Sequence, residues 1–164
     1  MQPSLFPTDS YAISLHQPWA TLWSFGIKSN ETRDWHFPVK LTGQTIYIHA
    51  AQRWDNDIVE ICATKPFANA LVEAHNRLKF PQINGVTYQA IQIANTQITL
   101  PIGALIGKVT LSQSVSASTL SPTYPESAFG NFSAGRIVWQ ATDHTPILPI
   151  PYTGRQRFFR VRLA

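Results

Sequence analysis

Twelve prolines and eight glycines punctuate the 164-residue chain, and this frequency favours many short elements over long helices. The pattern predicts strands over residues 11–15, 31–37, 44–50, 104–111, 136–142, 147–150 and 157–163. It predicts helices from residue 18 to Gly26, over 56–64 and over 68–78. Trp19 and Trp23 lie at helical spacing on the first helix, and we expect them to pack in the core together with Trp139. Short strands with helices clustered early indicate an α+β protein, built on a small mixed β-barrel with flanking helices.

Two further segments lack the regular spacing of apolar residues that would indicate a helix or a strand. Prolines and an Asn-Gly pair divide residues 80–103 into irregular pieces, with a short helix predicted near residues 89–94. Residues 116–135 are rich in serine and proline and predict a polar loop able to cover a cleft as a lid.

Composition excludes several classes of protein. Hydrophobic residues make up 44% of the chain and charged residues 13%, which excludes a disordered chain. The chain has no apolar run of the length that spans a membrane, and residues 1–10 lack the features of a secretory signal. A single cysteine, Cys62, excludes an internal disulfide and is expected to be buried. We expect one domain, located in the cytoplasm and without a membrane partner.

The net charge of +4 is concentrated at the C-terminal end. Residues 135–164 hold five arginines against one aspartate, whereas the acidic and basic side chains before them balance. Arginine presents a planar donor fork that suits phosphate, so a polyanion such as RNA is one candidate partner. A solvated surface strand is the alternative.

The segment from Gly26 to Arg33 has the spacing G-x-K-x-x-E-x-R. Gly26 permits a sharp turn with positive φ. Glu31 and Arg33 are two residues apart and would share one face of a strand, with Lys28 at the turn before them. Three charged groups are therefore predicted to converge where a helix meets a strand, in a site for an anion, a base edge or a reacting carbonyl.

This motif resembles the signature of the ASCH domain family, whose fold is PUA-like. Four other segments resemble that family in the expected order: residues 15–20 (LHQPWA), 46–51 (IYIHAA), 103–109 (GALIGKV), and the closing region with Phe129-Gly130 and 136–139. The least familiar part, about 64–100, reads as an inserted segment of helices and loops within the single domain.

The resemblance implies a PUA-like β-barrel with a cleft at the Gly26–Arg33 segment, and a role with single-stranded RNA or a modified nucleotide. Some relatives are similar to amidohydrolases of acetylcytidine and others to single-strand ribonucleases, so hydrolysis with Lys28 and Glu31 as acid and base is an alternative. The amidohydrolase branch has a threonine where this chain has Glu31. Thr32 is one position away and would point to the opposite face of its strand. A protein-interaction module is the third alternative.

The candidate ligand-binding residues each have a structural alternative. Lys28 and Arg33 would contact phosphate or base atoms, and Glu31 would accept a base N–H or orient Lys28. Glu31 and Arg33 could equally form a structural pair. His16 precedes a helix whose free N–H groups could hold an anion. The remaining candidates would hydrogen-bond a base edge, stack on a base or contact phosphate. Their structural alternatives are helix capping, core packing or a solvent-exposed surface position. These candidates are Gln17, Trp35, Arg136, Arg155 and Arg157. The five histidines lack metal-ligand spacing, so we expect no metal and no cofactor.

Overall fold

Eight strands and three helices alternate along residues 10–163, the part of the chain that the computed structural model describes. They are β1 (Ser10–Leu15), α1 (Trp19–Ser24), β2 (Asn30–Arg33), β3 (Thr45–Ala50), α2 (Asn56–Ala63), α3 (Phe67–Arg77), β4 (Thr87–Ile93), β5 (Thr96–Ile102), β6 (Ala104–Ser116), β7 (Ile137–Pro151) and β8 (Phe159–Val161). The predicted α+β class is confirmed.

Six strands form one sheet in the order β2-β7-β6-β3-β1-β8. β1 runs parallel to β3, and the other neighbours are antiparallel. The order has two edges, β2 and β8, so this sheet is not closed into the predicted barrel. Trp35, just after β2, contacts Phe158, just before β8, with 5.8 Å between the ring centroids. Aromatic side chains therefore lie between the two open edges.

The strands predicted separately over 136–142 and 147–150 are one strand, β7, so that prediction was wrong. Asp143 adopts a φ of 54°, and three register shifts interrupt the pairing of β6 with β7. Bulges of this kind bend a strand without ending it. The polar residues near position 143 mark a bulge rather than a loop.

The helix predicted near residues 89–94 was also wrong, because this segment is part of a two-stranded hairpin of β4 and β5. Ala94, with a φ of 51°, lies in the tight turn between them. Ile91, Ile98 and Leu100 are buried from the two strands and pack against the α2 and α3 side chains. Alternating β-branched residues indicated strands here, and the Asn-Gly and proline breaks obscured that period.

α1 lies between two apolar clusters and joins them. Trp23 packs into the cluster under the six-stranded sheet with Trp139, and both are fully buried. Leu22, the adjacent residue, packs into the cluster of α2, α3 and the hairpin. The core assignment of Trp23 and Trp139 is confirmed, whereas Trp19 is only half-buried. The start of α1 is thereby held against both halves of the core.

Cys62 is buried among the α2 and α3 side chains, as predicted. Burial raises the pKa of its thiol to about 11. None of the helices in the described part of the chain is long and apolar enough to cross a membrane.

The contact between α1 and β6 gives a test of this packing. At Gly107 of β6, an added Cβ would lie 2.2 Å from Ser24 Oγ and 3.2 Å from Ser24 Cα. We expect Gly107→Ala to lower the free energy of unfolding in urea by about 1–3 kcal/mol, because overpacking forces the helix away from the sheet. The cost should be smaller in a Ser24→Gly background. An equal cost in both backgrounds would contradict this contact.

Candidate functional site

A cleft of about 560 Å³ opens between the end of β1, strand β2 and residues 128–131. One wall is aromatic, formed by Trp19, Phe67 and Phe129. The remaining apolar side chains of the lining are Leu15, Ala51, Ile61 and Ala128. The polar side chains are Ser14, His16, Glu31, Thr32, Arg33, Thr64 and Asn131. The volume lies in the range of small-ligand pockets, which combine apolar walls with a few placed polar groups.

The turn after α1 directs the motif toward this cleft. Gly26 has a φ of 71°, and a Cβ there would lie 3.1 Å from the side chain of His144, so both conformation and space favour glycine. The amide of Lys28 donates to the carbonyl of Leu22 at 3.1 Å. This tight return places the Lys28 side chain inside the protein rather than over the helix end.

The three charged residues of the motif do converge, in a chain of contacts. Lys28 Nζ donates to Glu31 Oε2 at 2.8 Å, and Arg33 Nε lies 3.3 Å from Glu31 Oε1. Arg33 also donates to the carbonyl of Ser14 at 3.1 Å, which ties β2 to the end of β1. Glu31 and Arg33 line the cleft, whereas Lys28 is only 1% exposed and lies outside the lining.

Lys28 is thus placed to support Glu31 rather than to touch a ligand. Burial lowers the pKa of its ammonium, and the adjacent Glu31 carboxylate opposes that shift without cancelling it. Its Nζ also lies 5.2 Å from the centroid of the Trp23 ring. Glu31 is therefore held between two cations, and Arg33 is the one that reaches the cleft.

His16 lies exposed at the rim of the cleft, as a candidate ligand residue. Partial burial lowers the pKa of its imidazole, and the nearby Arg53 and Arg33 add to that effect. Three amides in the first turns of α1 are already paired, which disfavours the anion-binding alternative for this helix start. The amides of Ala20 and Leu22 donate to backbone carbonyls, and that of Thr21 donates to a side chain.

Gln17 supplies that side chain and is fully buried. Its Oε1 accepts from the Thr21 amide at 3.1 Å, and its Nε2 donates to the carbonyl of Pro101 at 2.9 Å. These contacts fasten the start of α1 to β5. The structure therefore places Gln17 in the capping role and outside the cleft lining.

The loop over residues 116–135 forms a fixed wall of the cleft. Glu126 accepts from the amides of Ser29 and Asn30 at 3.0 and 2.9 Å. Trp19 Nε1 donates to the carbonyl of Phe129, and the amide of Asn131 donates to Thr32 Oγ1. Thr32 lines the cleft together with Glu31, because β2 is a sheet edge that the cleft can reach from both faces.

The four remaining candidates lie outside this cleft. The side chain of Arg136 donates to the carbonyl of Thr32 and so supports β2. The buried Nε of Arg136 has no hydrogen-bond partner among the described residues. Trp35 and Arg157 stack on each other, with 4.4 Å from the guanidinium carbon to the ring centroid, in a second pocket. Arg155 lies in a third groove.

Ser14 and His49, which are register partners on β1 and β3, form a pair with a defined tautomer. His49 Nε2 lies 2.7 Å from the carbonyl of Tyr152, which can only accept, so Nε2 carries the proton. Nδ1, 2.9 Å from Ser14 Oγ, then accepts the serine proton. Gly154 covers the pair, since a Cβ at that position would lie 2.5 Å from the ring.

Several cleft residues were missed in the sequence. Trp19 was assigned to the core because of its helical spacing, and Phe67 and Phe129 lie far from the motif along the chain. The Phe129-Gly130 pair did resemble a family segment, and this was the available signal. Within residues 10–163, no group of three or more histidine, cysteine or acidic side chains could hold a metal ion.

The buried charge pair can be tested by its stability. We expect Glu31→Gln to lower the free energy of unfolding by about 3 kcal/mol, because it leaves a buried ammonium without its carboxylate. Adding Lys28→Met should recover a large part of that loss. Urea unfolding of the single and double variants measures this, and additive losses would contradict the pairing.

The His49 contacts predict a pH dependence. Burial lowers the pKa of this ring below the ordinary value of 6.5, with the Tyr152 contact opposing the shift. As the pH falls through 6.5, the unfolded chain takes up the proton before the folded one, so the stability contributed by neutral His49 is lost. NMR titration of His49 should give a midpoint below 6.5. A midpoint above 6.5 would contradict the assigned tautomer and contacts.

No family profile and no curated protein matches the chain. The crystal structure of ASCH from Zymomonas mobilis superimposes with a TM-score of 0.52 at 18% identity, covering 93% of this chain and 87% of that one. Structures of two variants of that protein, tyrosine to phenylalanine and serine to alanine, match with TM-scores of 0.52 and 0.51 at 18% identity. They cover 94% and 93% of this chain, and 91% and 88% of their own.

The match extends over nearly the whole chain, as the ordered sequence segments predicted. The similarity lies in the mixed α+β arrangement of elements. The resemblance drawn from the sequence is confirmed at the level of architecture: the chain has the ASCH-domain fold.

Proposed function

We propose that the cleft binds one nucleotide of a single-stranded RNA, or a modified nucleotide. The observation that carries the proposal is the Glu31–Arg33 pair, which opens into a cleft with an aromatic wall. A carboxylate and a guanidinium side by side can accept from a base N–H and donate to a base carbonyl or phosphate oxygen.

Within the aromatic wall, the half-buried Trp19 ring suits the flat face of a base, whereas Phe67 and Phe129 are buried. Trp19 meets Phe67 edge to face at 5.6 Å, and Phe67 meets Phe129 at 5.2 Å. The Trp19 N–H is already occupied by the Phe129 carbonyl, so this ring offers its apolar surface to a ligand. Stacking of a base on aromatic rings contributes about 1–3 kcal/mol in single-strand binding proteins.

Lys28 acts in this proposal as a positioning residue. Its ammonium fixes one oxygen of Glu31, so the other remains with Arg33 at the cleft surface. A carboxylate held in this way presents its acceptor lone pairs in one orientation. His16 at the rim supplies a further hydrogen-bonding group beside Arg33.

Binding of a fluorescent single-stranded RNA tests the proposal. We expect Arg33→Gln to weaken binding about tenfold to a hundredfold, because a charge-assisted hydrogen bond contributes about 1.5–3 kcal/mol. Affinity should also fall with added salt. The matched control is Lys79→Gln, which removes an exposed cation outside the cleft lining. Equal affinities for the Arg33 and Lys79 variants would overturn the proposal.

The second candidate is hydrolysis at the same cleft, which the Ser14–His49 pair favours. Ser14 Oγ would attack an acyl carbonyl carbon of an acylated nucleoside while His49 Nδ1 takes its proton. The C–N bond then breaks, the proton passes to the departing amine nitrogen, and water hydrolyses the acyl-serine. Glu31, held in place by Lys28, would supply acid–base assistance from the cleft wall.

Turnover assays separate the two candidates. Acetylcytidine and labelled single-stranded RNA are each incubated with an excess of protein. Acetate release that is lost in Ser14→Ala and retained in Lys79→Gln would support hydrolysis. No product from either substrate, together with Arg33-dependent RNA binding, would support the binding role alone.

A further inference from the structure

A groove of about 850 Å³ lies beside β8, separate from the cleft. Three arginines line it, Arg155, Arg160 and Arg162, and none of the lining residues within the described range 10–163 is acidic. Phe159 and Val161 of β8 are buried, and the alternation along the strand leaves Arg160 on the opposite, exposed face. β8 is also the last strand at one edge of the six-stranded sheet.

The groove is held in shape by Tyr152. Its hydroxyl accepts from the amide of Arg162 at 3.0 Å and donates to the carbonyl of Arg160 at 3.3 Å. These bonds fasten the segment that carries Arg155 to β8. The three guanidinium groups therefore border one concavity instead of being scattered on separate loops.

A second pocket, of about 400 Å³, continues the same pattern. Its lining includes Tyr11, Trp35, Lys40 and Arg157, and the part of the chain that the structure describes places no acidic side chain there. Lys40 Nζ donates to the hydroxyl of Tyr11 at 3.2 Å. The side chain of Arg160 hydrogen-bonds the same hydroxyl, so Arg160 connects the pocket to the groove.

We call these two depressions together the β8 track, defined by Lys40, Arg155, Arg157, Arg160 and Arg162 with the rings of Tyr11 and Trp35. Ion pairs between two residues of the range 10–163 involve Lys28, Arg33, Arg53 and Arg77, so four track cations form none within that range: Lys40, Arg155, Arg157 and Arg162. The positive excess of the sequence is thus concentrated in the track.

The track adjoins the cleft. Ala51 lies in the cleft wall and the next residue, Gln52, lies in the groove. Ser14 of the cleft also contacts His49, which in turn holds the Tyr152 carbonyl at the groove side. A strand leaving the cleft can therefore enter the track within a few residues of protein surface.

We propose that the β8 track binds the phosphodiester backbone of single-stranded RNA that extends from the nucleotide in the cleft. This inference rests on the proposed function. Arginine forks match phosphate oxygens, and aromatic rings between cations match exposed bases. The concave shape of the groove favours a narrow strand over the flat surface of an anionic membrane.

The test compares a mononucleotide with a longer strand. Uridine monophosphate occupies the cleft alone, whereas fluorescent oligouridine of about 12 nucleotides, the scale of a single-strand site, reaches the track. The variants are the double substitution Arg155→Gln/Arg162→Gln and the control Lys79→Gln. Both track arginines are exposed, so circular dichroism should show an unchanged fold.

We expect the ratio of oligomer to mononucleotide affinity to fall at least tenfold in the double variant. The slope of log affinity against log salt for the oligomer should decrease by about 1.4, because each lost phosphate contact on a single strand removes about 0.7. Affinity and slope equal to those of Lys79→Gln would overturn the track.

Two further outcomes are distinct. If Arg33→Gln leaves mononucleotide binding unchanged, the proposed function of the cleft fails, whatever the track variants do. If phosphatidylserine vesicles bind through Arg155 and Arg162 while oligouridine does not, the track is a membrane contact and the RNA proposal is overturned.

Discussion

The buried contact between Lys28 and Glu31 is the constraint on which the site depends. An ammonium group with 1% exposure is stable inside a protein only with a carboxylate at hydrogen-bond distance, and Glu31 provides one at 2.8 Å. Because that carboxylate is shared with Arg33, the buried pair fixes the orientation of the one cation that reaches the cleft. The three side chains Lys28, Glu31 and Arg33 therefore both stabilise the fold and form the proposed recognition site.

Neighbouring elements close around this cluster and make its geometry rigid. Glu126 caps the motif turn by accepting from two successive backbone amides, and Arg33 ties β2 to β1. Arg136 supports the opposite side of β2. The cleft thus lies among elements joined by hydrogen bonds, and its ligand would meet groups that are already in place.

The sequence predicted the α+β class, most helix and strand positions, and the convergence of the motif, because glycine turns, apolar periods and strand alternation act locally. It did not predict the burial of Lys28, and it left Gln17 open between capping the helix and contacting a base. Those outcomes depend on contacts with Glu31 and with Pro101, the latter 84 positions away. The hairpin of β4 and β5 was missed because turn residues broke an alternating pattern. Whether a sheet closes into a barrel or stays open, as here, depends on contacts between its edge strands, which no local sequence pattern encodes.

The central claim is that a nucleotide enters the cleft and meets Arg33 and Glu31. The most direct measurement is a ¹H–¹⁵N NMR titration with uridine monophosphate. The account predicts that the Arg33 Nε–H signal and the amides of residues 14–16, 31–33 and 129–131 shift together with one binding curve. Shifts confined to residues outside the cleft, with the Arg33 side-chain signal unmoved at saturation, would contradict it.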